Sequence, residues 1–540
     1  RIGAYLLQEK NTDENDHRKL FEGLEHINRV ESFVKDQTLR AKLAQYNLDA
    51  ANIGRQSNAY LASYTFAKKG ISFLDANPWK NQTQLSKDLH LIGAQSAYFL
   101  GDYENMHELT ETALPNIVNP IVRATFHEVI TYAYASKREW NETVEEALKG
   151  LEILGIKLTR NPSTVHVLKH LASFFITLRM RKPEDLIELQ ELKDPKIEAA
   201  IKLLISAVSA AYLTNQNLFA ILFTEMARLS ARYGNCKYSA FAYTGFGVFL
   251  GGALGSIDYG YRYGEVAKKV FEKYPSDELM AKLYFSLYGF IQNWKIDVKE
   301  IYPKFREGFQ VGSQVGENEY AAWCLSMRTG MSTLSGENLE KLEVELIAAV
   351  KYSENLKQIE IISQGFLDYC LWWQGKGTDQ RNPLLPEFRD SIAELLIEEK
   401  FWTALAEHDM IYGSMYFYYG EYEKAWFYLS RGWKHHDSLV GLFYFAQLVY
   451  FRAWTAIKLQ QINSKRFSNK QLKTIINDFK KWAEHSVPNH GHKLTMFDAE
   501  LAVLNRDVAT AMNLFDTAIT QAEKSDHPND EAIFSELAAQ

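Results

Sequence analysis

The sequence predicts an all-α chain built as a continuous array of helical hairpins. Three observations support this fold class. A short sequence mark recurs roughly every 40 residues, apolar residues follow helical spacing, and only 12 prolines interrupt the 540 residues. Hydrophobic residues make up 46% of the chain and aromatic residues 13%, which is ample for a folded core. Because each hairpin of such an array contacts only its neighbours, one array can extend over the whole length.

The recurring mark is a small or turn residue, then an aromatic or apolar residue, then small residues at helical spacing. The clearest copy contains Gly420, Tyr422, Ala425, Leu429 and Gly432. Small residues three or four positions apart lie on one face of a helix, where they allow a second helix to approach closely. Further copies are centred on Tyr60, Tyr103, Trp140 and Ile257, with a weaker copy around Ala511, Phe515 and Ala518.

The repeat length lies between the tetratricopeptide unit of about 34 residues and the armadillo or HEAT unit of about 40–47 residues. At this length, 540 residues hold roughly thirteen hairpins. We therefore predict a right-handed α-α superhelix of tetratricopeptide-like hairpins with an irregular period. Residues 1–50 lack the mark and are expected to form a connecting or capping helical arm. The superhelix is expected to have an amino-terminal part at 51–373 and a carboxy-terminal part at 388–540.

The longest irregular stretch separates these two parts. Residues 374–387 contain two glycines and two prolines, a composition that is typical of a loop. This stretch is either a hinge between two superhelical segments or a surface loop inside one array.

Charge and cysteine content exclude several classes of partner. The net charge of −7 and the pI near 6.1 give no general attraction to nucleic acid. Three cysteines, far apart in sequence, fit a reducing cytoplasm without a disulfide framework. Residues 238–257 are uncharged and about as long as a membrane span, but Gly251, Gly252 and Gly255 fall where a hairpin turn should lie. We therefore predict a buried hairpin there, a cytoplasmic location, and neither membrane nor nucleic-acid partners.

The sequence offers no catalytic motif. A phosphate-binding loop with lysine, the kinase signatures, a zinc-protease helix and a serine elbow are all missing. His485, His490 and His492 cluster in one segment, but no cysteine lies nearby. This favours a polar inter-helix loop, whose histidines cap helix ends, over a metal site. The sequence therefore predicts no catalytic residue, no cofactor and no metal.

Four segments together resemble one family of proteins. They are RIGAYLL, LGSIDYGYRYGEVAKKV, YGFIQNWKIDVKEIYPKFREGFQVGSQVGENEYAAWC and KKWAEHSVPNHGHKLTMFDAELAVL. These segments are similar to the helical repeat region of very large multidomain signalling ATPases. Those proteins combine a serine/threonine-kinase-like domain, an AAA/STAND-type ATPase and the repeat superhelix, often followed by a GAF sensor and a histidine kinase. The resemblance covers nearly the whole chain collinearly, and its motifs are packing patterns.

The resemblance implies that this chain is part of a longer protein whose kinase and ATPase domains lie outside it. We expect a non-catalytic interaction and sensor module that binds a protein or peptide partner, or an effector, in its concave groove and couples it to those domains. Trp294, Lys295, Tyr320 and Trp323, in the most family-like hairpins, are the candidate partner-binding residues. The alternative is a small-molecule effector-binding domain of a STAND-type transcription regulator, which would need a pocket lined by polar and aromatic groups.

Overall fold

The computed structural model describes residues 14–179, 181–376, 386–463 and 465–539. The chain divides into two compact units. The first unit contains residues up to 180 together with 190–234, and the second contains 181–189 together with 235–540.

The first unit is a succession of α-helices in which most neighbours along the chain pack as hairpins. The order is interrupted at residues 164–178, whose helix packs against the helix at 216–233. The helices of this unit are α1 Glu14–Asn28, α2 Gln37–Gln56, α3 Tyr60–Ser72, α4 Pro78–Asn81, α5 Thr83–Phe99, α6 Tyr103–Ala113, α7 Pro120–Ser136, α8 Trp140–Ile153, α9 Thr164–Leu178, α10 Pro195–Ser206, α11 Val208–Thr214 and α12 Gln216–Tyr233.

The second unit begins with a 3-10 helix, Pro183–Glu188, and continues as a regular series of hairpins. Its helices are α13 Ser239–Val248, α14 Ile257–Lys273, α15 Asp277–Phe290, α16 Val298–Val315, α17 Asn318–Leu334, α18 Leu339–Tyr352, α19 Lys357–Trp373, α20 Pro386–Glu398, α21 Trp402–Tyr418, α22 Tyr422–Trp433, α23 Phe443–Ile462, α24 Asn469–His485, α25 Val487–Leu504, α26 Val508–Lys524 and α27 Pro528–Ala539. The predicted fold class, an all-α array of tetratricopeptide-like hairpins, is confirmed.

One turn geometry recurs between successive helices. The residue two positions before the second helix has a positive φ, as at Gly101 (72°) before Tyr103. The residue after it donates its backbone N–H to the carbonyl five positions earlier, at 2.9 Å from Asp102 to Ala97. This bond ends a helix in the Schellman motif. Residues other than glycine take the same left-handed position in further turns: Asn58, Arg138, Lys400, Arg506 and Asp526.

The sequence mark corresponds to the start of the second helix of a hairpin. Tyr60, Tyr103, Trp140, Ile257 and Tyr422 are each the first residue of a helix. The small residues that follow allow close helix contact: a Cβ at Gly432 would lie 3.1 Å from the Asp409 Cβ and 3.3 Å from the Ala406 carbonyl oxygen. The repeat prediction is therefore confirmed at these hairpins.

Alternate helices of the second unit form an internal row. Each member of the series α13, α15, α17, α19, α21, α23 and α25 contacts the next. Within this row, α21 buries every residue from Ala404 to Phe417, and α23 buries every residue from Phe443 to Phe451. These two stretches therefore belong to the core of the second unit.

Residues 238–257 form the predicted buried hairpin. They comprise α13, a π-helical turn at Phe249–Ala253 and the start of α14. A Cβ at Gly251 would come 2.1 Å from the Trp294 ring, so glycine is required where the ring packs. Within the described residues, no single helix has the length and apolar composition of a membrane span, whereas the bent pair α10 and α11 meets those two criteria together.

The predicted loop or hinge at 374–387 falls mostly outside the described residues, which omit 377–385. The proposed division into 1–50, 51–373 and 388–540 therefore stays a prediction.

Candidate functional site

Trp294, the first predicted partner-binding residue, lies inside the second unit. Its side chain is 3% exposed, and its indole N–H donates to the Gly441 carbonyl at 2.9 Å. Its ring meets Trp482 at a centroid distance of 5.6 Å and an interplanar angle of 61°. Trp294 therefore joins the turn after α15 to the segment that precedes α23 and to α24.

Lys295 also contacts this chain. Its Nζ lies 2.6 Å from Asp258 Oδ1 and 3.4 Å from His485 Nδ1. The hydrogen bond from Lys295 holds the pKa of the Asp258 carboxyl below its usual range. Because Asp258 is largely exposed, the pair contributes little to stability.

Tyr320 and Trp323 are half-buried on α17. Both rings pack against Phe285 of α15, at centroid distances of 5.8 and 5.5 Å. The Lys282 ammonium lies 5.3 Å from the centre of the Tyr320 ring. The structure brings Trp294 next to Lys295, and Tyr320 next to Trp323, while a partner-binding role for these four residues stays a prediction.

Asn489 joins the two ends of the second unit. Its Nδ2 donates to the carbonyls of Asn293 and Ile296 at 3.0 and 2.8 Å. Its Oδ1 accepts from the Val298 backbone N–H at 3.0 Å, and Ser486 Oγ donates to the Asn293 carbonyl at 2.9 Å. One buried amide thus satisfies backbone groups of a segment more than 190 residues away. We call the contacts of Ser486 and Asn489 with residues 293–298 the closing seam.

A charged cluster lies in the interior of the same unit. Asp530 Oδ2 accepts from His492 Nε2 at 2.8 Å and lies 3.4 Å from Lys493 Nζ. Lys493 also donates to Gln447 Oε1 at 3.1 Å. Burial opposes ionisation of Asp530, but the Lys493 ammonium and the hydrogen bond from His492 outweigh it and hold the pKa of the carboxyl well below its usual range. This cluster joins α23, α25 and α27.

The same cluster has the donors of a metal site. Ligand atoms of His492, His527 and Asp530 lie within 4.8 Å of one another, and transition metals accept such a set. Burial lowers the pKa of both imidazoles, to about 3 for His527, so both rings are neutral at pH 7. However, Lys493 already supplies positive charge beside Asp530, and a divalent ion would leave uncompensated positive charge in the interior. We therefore interpret the cluster as an ion-paired cross-link between helices.

The prediction of a polar loop around His485, His490 and His492 is wrong. α24 ends at His485 and α25 begins at Val487, so His490 and His492 lie inside a helix and are each 2% exposed. Pro488 occupies the first turn of α25, where its missing N–H costs no helical hydrogen bond.

Other buried carboxylates are paired across helices in the same way. Asp409 on α21 accepts two hydrogen bonds from Arg431 on α22, at 2.8 and 2.6 Å. Glu500 on α25 lies 2.5 Å from Lys458 on α23. In the first unit, Glu146 on α8 accepts from His127 on α7 at 2.6 Å. Asp409 and Glu500 are held by a cation of a neighbouring helix and Glu146 by an imidazole, so all three serve as cross-links.

The first unit contains an open depression of about 400 Å³. We call it the basic depression. It is lined by Gly155, Ile156, Lys157, Leu158, Lys169, His170, Ser173, Glu225 and Arg228.

Three segments position these residues. α8 ends at Ile153, and the chain turns at Gly155 with φ 81°. The following loop is held to α12 by Asn217, whose Nδ2 donates to the Pro162 carbonyl at 3.1 Å. α9 buries Val167, Leu171, Phe174 and Leu178, a stripe of one helix face, and its packing against α12 places Lys169, His170 and Ser173 beside Glu225 and Arg228.

The floor of the depression is an internal ion pair. Glu225 is 5% exposed at its side chain, accepts from Arg228 Nε at 2.8 Å and lies 3.5 Å from His170 Nδ1. Burial opposes ionisation of Glu225, but the hydrogen bonds from Arg228 and His170 outweigh it and lower the pKa of the carboxyl to about 2. Glu225 is therefore ionised at pH 7 and balances one of the surrounding cations.

The rim of the depression carries further positive charge. Lys157 and Lys169 are exposed, and Lys157 makes an exposed pair with Glu152 at 3.1 Å. A Cβ at Gly155 would lie 3.7 Å from Lys196 Nζ. The lining thus contains Lys157, Lys169 and Arg228 against Glu225 alone among acids, in a chain whose net charge is −7.

The sequence analysis did not find this depression. It did not single out Lys157 or Lys169. The sequence signal for this site was the loop between α8 and α9, which turns at Gly155, contains Lys157 and precedes Lys169. The sequence of this loop does not show that α12 completes the site.

Comparisons with known proteins found matches of low similarity among solved structures. No protein-family model and no curated protein matches the sequence. The structure of yeast Tom70 matches with 13% identity and a TM-score of 0.32, covering 92% of this chain and 96% of that one. A Rap protein in complex with competence and sporulation factor matches with 13% identity and a TM-score of 0.41, over 74% of this chain and 97% of that one. A circular tandem repeat protein matches with 11% identity and a TM-score of 0.12, over 93% and 94%. Nothing about the function of this chain follows from similarities of this size.

Proposed function

We propose that this chain is a non-catalytic helical-repeat module that binds a ligand and passes that binding to neighbouring domains of a signalling ATPase or kinase. The observation that carries the proposal is the contrast between two sets of charged groups. Buried charges such as Asp530 and Lys493 cross-link helices, whereas the cations of the basic depression in the first unit face an open surface. A ligand in that depression would touch α9, α12 and the loop after α8 together.

The proposed coupling requires that the ligand favour one arrangement of these helices over another. The loop after α8 and the α9–α12 pair each contribute lining residues to the depression. A change in the distance between the loop and this helix pair would therefore change the affinity of the depression for its ligand. By linkage, a bound ligand biases that spacing. The packed helices would transmit this change in arrangement to the neighbouring domain.

The second candidate, a small-molecule effector domain, is favoured by the size of the depression. A volume of about 400 Å³ lies within the range of about 300–1,000 Å³ that is typical of small-molecule sites. Protein partners need a larger surface, of about 800 Å² per partner. The interaction role and the effector role use the same first unit and differ in ligand size.

The first test is to sequence the reading frame that surrounds this segment. The second test is to measure ATP hydrolysis by the full protein. The frame should encode an ATPase or kinase domain on the same polypeptide. ATP hydrolysis of that full protein should change when a ligand of the first unit is added. A frame without any signalling domain, or turnover of a substrate by this segment alone, would contradict the proposal.

A further inference from the structure

The basic depression has the features of a site for a small anion. Its charged lining comprises Lys157, Lys169 and Arg228, with His170 beside them and Glu225 as the acid. Glu225 is paired with Arg228 through both Nε and Nη2, and Lys157 lies 3.1 Å from Glu152 outside the lining, so the excess positive charge of the lining comes from its two lysines. Positive charge converging on a concave surface attracts and concentrates anions.

The arrangement of the cations suits a phosphate or carboxylate group. Arg228 presents its guanidinium to Glu225 through Nε, which fixes the guanidinium on the floor of the depression. Lys157 and Lys169 approach from two different segments, the loop after α8 and helix α9. Lysine ammonium groups bind phosphate as compact point charges on flexible stems, so both can reach an anion in the depression.

The lining also contains an apolar part. Ile156 and Leu158 flank Lys157 in the same loop and line the depression. Along α9, Ile176 is 74% exposed and lies on the same helix face as Lys169 and Ser173, seven and three residues before it. A ligand that joins an anionic group to an apolar body would match both features.

From this placement we propose that the basic depression binds the phosphate or carboxylate group of a small anionic molecule. The anionic group would lie between Lys157 and Lys169, above the Glu225–Arg228 pair. The inference rests on the proposed function, since it names the ligand class of the binding module. It commits to a free small molecule because the depression has the volume of a small-molecule site.

The test is isothermal titration calorimetry of the whole chain with inorganic pyrophosphate and with citrate, at low ionic strength. The variants are Lys157→Gln with Lys169→Gln, and the matched control Lys42→Gln, which removes one exposed charge from α2 of the same unit. We expect saturable binding of at least one probe, a loss of at least about tenfold in affinity in the double variant, and none in the control. Binding should also weaken when salt is raised to about 1 M, where the screening length falls to about 3 Å.

Three results would overturn the inference: no saturable binding of either probe, equal loss in the double variant and in Lys42→Gln, or binding only of a peptide that carries the anionic group. Circular dichroism and the melting temperature confirm that the variants are folded. Failure of both probes leaves the module role to be judged by the ATPase measurement on the full protein. An ATPase that does not respond to a bound anion would instead refute the coupling while the site stands.

Discussion

The buried cluster around Asp530 in the second unit and the basic depression in the first unit use charged side chains in opposite ways. In the second unit, Asp530, Lys493 and His492 are buried together and satisfy one another. In the first unit, Lys157 and Lys169 extend toward an open depression whose acid is already paired. The basic depression of the first unit leaves positive charge available for a ligand, whereas the buried cluster of the second unit does not.

The buried ion pairs contribute mainly to stability, and the exposed lysines of the depression contribute mainly to ligand binding. Buried ion pairs are costly to break because the remaining partner keeps its charge in a medium of low polarity. Exposed lysines at a rim contribute little to stability. Substitutions in the second unit should therefore change the free energy of unfolding, and substitutions at the depression should change affinity.

The largest effect is expected for Asp530→Asn, which leaves the Lys493 charge buried without its carboxylate. Loss of one partner of a buried pair costs about 3–5 kcal/mol. Urea denaturation followed by circular dichroism should show this loss in the free energy of unfolding. The exposed Asp516→Asn on α26 is the control and should stay within about 0.5 kcal/mol of the natural protein. Equal midpoints for both variants would contradict a structural role for the cluster.

Asn489→Leu should be the next most damaging change. It removes the amide that satisfies backbone groups of Asn293, Ile296 and Val298. The Asn293 carbonyl keeps its hydrogen bond from Ser486, and each of the two groups left without a partner costs about 1–2 kcal/mol, within the range of about 1–3 kcal/mol for buried polar groups. We therefore expect a loss of about 2–4 kcal/mol in urea denaturation. The exposed Asn513→Leu serves as the matched change. If Asn489→Leu were no more harmful than that control, the closing seam would not hold the second unit together.

Glu407→Gln should stabilise the protein, and increasingly so as pH rises. Burial raises the pKa of the Glu407 carboxyl to about 8 from 4.5. Between these values the folded state holds a proton that the unfolded state has released, so the natural protein loses stability as pH rises. Glutamine does not ionise, and we expect a gain of about 1–3 kcal/mol at pH 8 and little at pH 4.5. A pH-independent difference, or the same gain for exposed Glu394→Gln, would refute this assignment.

His527 should make the second unit sensitive to acid. Burial lowers the pKa of its imidazole from 6.5 to about 3, so below pH 6.5 the unfolded state binds a proton that the folded state excludes. Stability should therefore fall as pH drops from about 6.5 to about 3, by up to about 1.4 kcal/mol per pH unit from this group. His527→Leu should show a shallower decline of the unfolding free energy over this range. An unchanged slope would show that His527 titrates normally in the fold.

The smallest effect on stability is expected for Lys169→Gln at the depression. The side chain is exposed, and its removal should change the free energy of unfolding by less than about 0.5 kcal/mol. The same substitution should still weaken binding of pyrophosphate or citrate. A variant that lost stability and kept its affinity would reverse the division of roles between the two units.

The local features of the fold could be predicted from sequence. Tyr103 and Tyr422 follow glycines that adopt the left-handed turn, so the mark identifies the helix that begins there. The same turn at Lys400 and at Asp526 carries no glycine, and the sequence analysis found no copy of the mark at the helices that begin there, at Trp402 and Pro528. In those turns the backbone hydrogen bond is made whatever the side chain. Sequence alone therefore identifies some hairpins clearly and leaves others unmarked.

The contacts that define the sites could not be predicted. Asn489 and Asn293 are 196 residues apart, and nothing in either local pattern indicates that they meet. Trp294 was chosen as a candidate partner-binding residue because it lies in a family-like hairpin and aromatic residues are common in interfaces; no local pattern indicates that its ring packs beside Gly251. The depression requires α12 to pack on α9, which departs from the neighbour-to-neighbour order of a regular repeat.

Hydrogen exchange with and without saturating pyrophosphate tests the division between the two units most directly. We predict slower exchange in residues 154–173 and 225–228 and no change in residues 487–539. Slower exchange with pyrophosphate only in residues 487–539, or no slower exchange anywhere in the chain, would contradict the proposed division of roles between the two units.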